Sequence, residues 1–335
     1  MEWNRVYVSD ALAGVARLPD ASVQCCVTSP PYFRQRDYGI AGQWGQESSP
    51  EEYIGNLVAL FREIRRVLKD SGTVWLVLGD SYASNNRGGR VEPWHDLEIY
   101  GQPVGLYDGI KRKDLLGIPW MVALALRNDG WFLRQDIVWF KTNPMPESVK
   151  DRCTRSHEYI FMFSKTAQYY YDHLAIATPL SKGARKRMEQ SLESQKGSNR
   201  VYGKKNGPMK EAFTTSVFKQ DAHGRRHQGF NLRWDEAMEQ GVFKVANRKS
   251  VWPIATAMSK EQHFASYPKA IPELCIKAST REGDTVIDPF TGTGQTLLVA
   301  SVLGRKYMGF DLNPKYVGIA NRRLKELEGI FYRGE

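Results

Sequence analysis

The sequence predicts an α/β fold, doubly wound about a mainly parallel sheet. Three observations carry this expectation. Apolar runs of strand length alternate with stretches whose apolar residues recur at helical spacing. Two of those runs, ending at Asp288 and Asp311, close on an acid and are followed by a turn and a helix. Helix starts are written plainly at Ser49-Pro50 and Asn313-Pro314, each after a strand signal. Strands alternating with helices pack as a parallel sheet with helices on both faces.

The elements follow in order. Val6-Tyr7-Val8 is a short strand ending at Ser9-Asp10. Val23 to Val27 is an apolar run that reads as a buried strand, and Pro30-Pro31 stops it by removing two N–H donors and fixing φ. Ser49-Pro50-Glu51-Glu52 opens a helix: a serine cap, proline in the first turn, glutamate three residues after the cap. Ile54, Leu57, Val58, Phe61, Ile64 and Leu68 continue it, and Gly72 is the expected stop. Thr73 to Leu78 is a buried strand. Residues 84–109 are rich in Gly, Asn and Arg without a period, which reads as a flap closing on substrate or as a surface loop. A helix over 118–128 precedes strands near 134–140 and 158–163. Val286 to Asp288, a helix over 297–302, Lys306 to Asp311 and a helix over 314–327 complete the pattern.

The chain has 335 residues and a formal net charge of +10. Residues 180–250 hold 16 Lys and Arg against 7 Asp and Glu, so nearly all the excess lies in one segment. Tyr202, Phe213, Phe218, Phe230 and Trp234 are interspersed there. This composition suits a polyanionic partner, or simply a solvated basic insertion. The expected organisation is a first half over 1–179, the basic segment over 180–250, and a second half over 251–335. Cys25, Cys26, Cys153 and Cys275 lack metal-ligand spacing, which suits a reduced cytoplasmic protein. Neither a secretory leader nor a membrane span is expected. His95, His157, His223, His227 and His263 show no paired spacing with Cys or carboxylate, and His157 reads as structural.

Two motifs carry the chemistry. Thr28-Ser29-Pro30-Pro31-Tyr32 places a hydroxyl, strand-end carbonyls and a flat ring at one spot, a cradle suited to a planar ring bearing an amine. A proline-rich strand cap is the plainer reading. Asp288-Pro289-Phe290-Thr291-Gly292-Thr293-Gly294 is a strand–glycine turn–helix unit, where glycines allow positive φ and close approach of a ligand. It lacks the Gly-Lys-Ser/Thr ending of a phosphate loop and the Gly-x-Gly-x-x-Gly of dinucleotide binders. Asp311, about 20 residues further on, stands where an acid takes ribose hydroxyls, and also where it can cap the next helix.

Ser29-Pro30-Pro31-Tyr32 resembles motif IV of the amino DNA methyltransferases, and Asp288 to Gly294 resembles their motif I. The order, catalytic motif first and cofactor motif last, looks like the β-group. The segments 116–120, 143–148 and 156–160 are also similar to that family, so the resemblance covers about 1–180 and 250–328. It implies a Rossmann-like, seven-stranded methyltransferase sheet, circularly permuted, with an inserted target-recognition region over 180–250. It implies S-adenosylmethionine as cofactor. Ser29, Pro30, Pro31 and Tyr32 would be catalytic: Ser29 Oγ and the Pro30 carbonyl accept the amine hydrogens, and Tyr32 stacks on an everted base. Thr28, Asp288, Phe290, Thr291, Gly292, Thr293 and Gly294 would surround the cofactor, with Asp311 on its ribose. Asp10 would meet the adenine or cap the following helix. Lys269 would face the methionine carboxylate or be an exposed lysine after a turn. Arg225, Arg226, His227, Gln228, Asn231 and Arg233 are the candidates for base readout.

The expected function is sequence-specific methylation of cytosine N4 in duplex DNA, since Ser-Pro-Pro is commoner among cytosine-N4 members of the family. Adenine N6 methylation is the alternative. A catalytically inactive DNA binder on the same fold, or an RNA or protein methylase, is more distant. The implied partners are double-stranded DNA and a cognate restriction endonuclease, with no membrane, and either a monomer or a homodimer; the implied location is the cytoplasm, on the nucleoid.

Overall fold

The structure, a computed structural model, describes residues 1–83, 109–181, 245–256 and 267–331. The chain divides into two compact units, Met1–Ala175 with Lys249–Glu335, and Ile176–Arg248. The flap expected over 84–109 lies, apart from Gly109, outside the described residues, as does most of the basic segment. In the smaller unit, strand β6 (Thr178–Pro179) pairs antiparallel with β7 (Val245–Ala246).

The larger unit is built on one sheet. Its strands are β1 (Arg5–Val8), β2 (Val23–Thr28), β3 (Leu68–Leu78), β4 (Phe132–Phe140), β5 (His157–Ser164), β8 (Val251–Pro253), β9 (Thr285–Asp288) and β10 (Lys306–Asp311). They lie in the order β1-β10-β9-β2-β3-β5-β4-β8. From β1 through β3 all pairs are parallel, β5 runs antiparallel to both β3 and β4, and β8 is parallel to β4. The sheet therefore has eight strands where seven were expected. β8 is the addition; it aligns Trp252 with Trp139 and sets Trp252 6.3 Å from Trp75.

Every residue of β2 is buried, as are Val74 to Leu78 of β3. Strands covered on both faces read as continuous apolar runs. Helices α1 (Ala11–Ala16), α2 (Pro50–Val67), α3 (Ile118–Asn128), α4 (Ala270–Ser279), α5 (Gln295–Val302) and α6 (Pro314–Phe331) accompany the sheet. α2 starts as its sequence dictates. Ser49 accepts from Glu52 N at 3.2 Å, and Glu52 reaches back to Ser48 N at 2.8 Å. Its buried face, with Leu57, Phe61 and Ile64, packs on the central core that also holds Phe161, Phe163 and Phe310.

The end of α2 differs from expectation. The helix stops at Val67, and Leu68 turns directly into extended backbone (φ −73°, ψ 137°). Gly72 lies inside β3. Leu68 pairs with Val23 and is fully buried, so strand pairing captures it from the helical pattern. A side chain at Gly72 would run into Leu68.

α3 begins at Gly117, which has φ +76° and no side chain to cap with. Asp80, at the end of β3, supplies the cap from a distance. Its carboxylate accepts from Gly117 N at 3.0 Å, Ile118 N at 3.3 Å and Ser81 N at 2.9 Å. Burial raises the Asp80 carboxyl above its ordinary value, and these N–H groups hold it back.

The topology sets the carboxyl ends of β1, β10, β9, β2, β3 and β4 on one edge of the sheet, together with the start of antiparallel β5. No helix among the described residues is long and apolar enough to cross a membrane.

Candidate active site

At that edge lies a cavity of about 560 Å³. Ser29, Pro30, Pro31 and Tyr32 form one wall, and Asp288 to Thr293 form another. Asp311 to Asn313 and Tyr316 close the far end, with the loop from Gln35 to Trp44 beside them. Trp139, Lys141 and Glu158 complete the near end. The two motifs picked out in the sequence thus face one space.

A buried carboxylate ties them together. Thr28 Oγ1 donates to Asp288 Oδ1 at 2.7 Å across 260 residues of chain. Phe290 N donates to the same oxygen at 3.1 Å, while Thr296 Oγ1 at 2.7 Å and Tyr267 OH at 3.4 Å donate to Oδ2. The Tyr267 and Thr296 hydroxyls also meet each other. Asp288 is 2% exposed, and burial pushes its carboxyl up to about 6 against the pull of these donors. The side chains of Thr28 and Asp288 are therefore spent on joining two strand ends. Thr28 is fully buried and does not line the cavity. Gly294, at φ +87°, opens α5 and lets it approach α6; a Cβ there would lie 3.0 Å from that of Ala320.

Asp311 lines the cavity at the end of β10. It accepts from Gly292 N at 2.8 Å and from Asn313 N at 2.8 Å, which bends the turn after β9 against the start of α6. Burial raises its carboxyl, and these two N–H groups oppose the rise. Asp10 takes the capping role: its Oδ1 accepts from Ala13 N at 3.0 Å. Its Oδ2 accepts from Trp44 Nε1 at 2.8 Å, and the Trp44 ring stands edge-on to Phe290 with centroids 5.4 Å apart. Ser9 and Ala11 line the cavity in its place. Lys269 is exposed at the head of α4, away from the cavity wall, to which Tyr267 contributes instead.

This end suits a nucleoside with a polar tail. Asp311 offers a carboxylate, Gly292 (φ +53°) leaves the turn open to a ligand, and Tyr38, Tyr316 and Phe290 offer flat apolar surface.

The other end holds a chain of side chains. Ser29 Oγ donates to Tyr32 OH at 3.3 Å, and Tyr32 OH donates to Glu158 Oε2 at 2.6 Å. Lys141 Nζ bonds to the second oxygen of Glu158 and lies 5.0 Å from the centre of the Trp139 ring. Burial, and after it the Glu158 charge, raise the Tyr32 phenol well above its ordinary value. The Pro31 carbonyl accepts from Tyr53 OH at 2.9 Å. His157 stands edge-on to Tyr159, with centroids 5.3 Å apart. Among the described residues no cluster of His, Cys, Asp or Glu could hold a metal ion.

Sequence reasoning missed Lys141, one residue past β4, and Glu158, near the start of β5, because nothing local shows that either meets Tyr32. Arg225, Arg226, His227, Gln228, Asn231 and Arg233 lie outside the described residues.

The sequence matches the profile of the DNA methylase family over residues 23–322. It is 39% identical to the type II methyltransferase M.Cfr9I of Citrobacter freundii over 321 residues, 96% of this chain and 87% of that one. In fold it is similar to the PvuII DNA methyltransferase (cytosine-N4-specific), with TM-score 0.58, 18% identity, and 99% and 96% of the two chains covered. It is also similar to a putative DNA modification methylase of Thermus thermophilus, solved complexed with S-adenosyl-L-methionine. There the TM-score is 0.55 at 21% identity, covering 96% and 93%. At these identities the two solved structures speak for the fold alone.

Proposed function

The chain belongs to the DNA methylase family, and we propose that within it this enzyme methylates the exocyclic N4 amine of cytosine at a specific sequence of duplex DNA. It is a DNA methyltransferase whose methyl donor is S-adenosyl-L-methionine. When bound, the cofactor supplies an electrophilic methyl group on a sulfonium. The residues of the chain supply the rest.

The lone pair of a ring amine is delocalised into the ring, so the amine is a weak nucleophile. Ser29 Oγ and the Pro30 carbonyl accept its two hydrogens and draw the nitrogen toward tetrahedral geometry, which frees the lone pair for in-line attack. The gain is one of positioning and fixed dipoles. The Tyr32 ring stacks on the target base, which leaves the duplex at a cost of a few kcal/mol. Asp311 holds the ribose, and the turn from Phe290 to Gly294 surrounds the methionine end. Phosphate contacts from the segment 180–250 offset the flipping cost, with base readout by residues among Arg225, Arg226, His227, Gln228, Asn231 and Arg233.

One observation carries the cytosine reading: the acceptor at the head of the motif is the neutral hydroxyl of Ser29, facing the same cavity as Asp311. The type II relative supports a companion restriction endonuclease. Mass analysis of nucleosides from DNA of cells expressing the protein tests it. N4-methylcytosine is expected; N6-methyladenine would overturn the choice of base. Ser29→Ala is expected to lower turnover by roughly 100-fold with cofactor affinity unchanged. Loss of cofactor binding instead would remove Ser29 from the amine.

A further inference from the structure

We infer that Glu158, braced by Lys141, is a positioning residue that makes the Ser29 hydroxyl a one-way acceptor and receives the proton shed by the methylated amine. This rests on the reading of Ser29 as the amine's acceptor.

A serine hydroxyl is ambiguous, with one hydrogen to give and two lone pairs to offer. An amine presenting two N–H groups needs the lone pairs; a hydroxyl hydrogen turned toward it would repel. The structure removes the ambiguity from the far end of a chain. Glu158 as a carboxylate only accepts, and Lys141 only donates. Lys141 occupies one carboxylate oxygen, so Tyr32 OH is drawn to the other at 2.6 Å and must spend its hydrogen there. The Tyr32 oxygen is then open only as an acceptor, and Ser29 Oγ gives its hydrogen to it at 3.3 Å. The Ser29 lone pairs remain for the cavity. Glu158 and Lys141 are 12% and 23% exposed, so water competes little for these bonds. The seat is shaped for them. A Cβ at Gly79 would come within 2.6 Å of the Tyr32 ring and 3.3 Å of the Glu158 carboxyl carbon.

The same chain gives the proton a way out. As the N–C bond forms and the S–C bond breaks, the sulfonium becomes a neutral thioether and the amine nitrogen carries one proton too many. That proton passes to Ser29 Oγ as the Ser29 proton passes to Tyr32 and the Tyr32 proton to Glu158 Oε2. Glu158 ends neutral, and no other reactant is consumed.

The test uses the full-length enzyme with duplex DNA and S-adenosylmethionine. Glu158→Gln keeps size and an acceptor but cannot take the proton, and Tyr32→Phe keeps the ring but cuts the chain. Each is expected to slow single-turnover methylation at saturating DNA and cofactor by roughly 100-fold. The double variant should be no slower than either single one, since both cut one path. Cofactor Kd and Tm should stay near wild type. A wild-type rate in Glu158→Gln, losses that multiply in the double variant, or a loss matched by lower cofactor affinity or Tm would overturn the proposal. If Glu158→Gln does not fold, Tyr32→Phe alone decides, and an unchanged rate there overturns it equally. The base methylated is read separately. Methylated adenine would overturn the cytosine reading while leaving these comparisons valid, and a wild-type enzyme that methylates no DNA would overturn both.

Discussion

Asp288 holds its charge where almost no water reaches it, and four donors from three separate segments compensate. The balance leaves its carboxyl at about 6 instead of the ordinary 3.8. The folded chain therefore binds a proton that the unfolded chain has lost between those values, so the stability this group contributes is complete below pH 3.8 and disappears as pH rises through about 6. The stability of the wild type relative to Asp288→Asn should fall across that window, by about 3 kcal/mol at most, and level off above it. Thermal unfolding of the two proteins at a series of pH values checks this; parallel curves would show that the carboxylate is compensated in full. Asp288 and Asp311 both end strands with an acid and both line the cavity, yet the Asp288 carboxylate is taken up by side chains of the scaffold while Asp311 is held by the backbone N–H groups of Gly292 and Asn313. The difference arises because Thr28, on the neighbouring strand, reaches only the first.

At the scale of elements, the cap of α3 comes from outside the helix. Gly117 brings none, and Asp80 reaches across 37 residues to bind the first free N–H groups. Asp80→Ala leaves them unpaired in a nearly dry site, at a cost of about 1–3 kcal/mol. Tm should drop by several degrees. An unchanged Tm would mean that water caps the helix as well. The start of α2 was legible because serine, proline and glutamate act within one turn. Its end was not, because Leu68 is claimed by its pairing with Val23, a contact 45 residues away in the chain that no local pattern reveals.

The molecule as a whole concentrates its positive charge. The segment 180–250 holds nine of the ten excess charges, leaving the rest almost balanced. If that segment neutralises phosphates, the affinity for duplex DNA should fall steeply with salt, and replacing Arg225 and Arg226 with Ala should reduce the log–log slope by about 2. Titration of the cofactor-loaded enzyme into labelled duplex at several salt concentrations measures it; an unchanged slope would place phosphate binding elsewhere. The sequence by itself determined the alternation of strands and helices, the position of both motifs and the split in charge, because each depends on neighbours a few residues away. Tertiary structure alone decided that Thr28 spends its hydroxyl on Asp288, that Asp10 caps a helix and holds Trp44, that Lys269 stays on the surface, and that Glu158 and Lys141 stand behind Tyr32. Those outcomes depend on which strand ends the sheet order makes neighbours, and an antiparallel β5 beside parallel β3 brings its first residues to the edge where β2 ends.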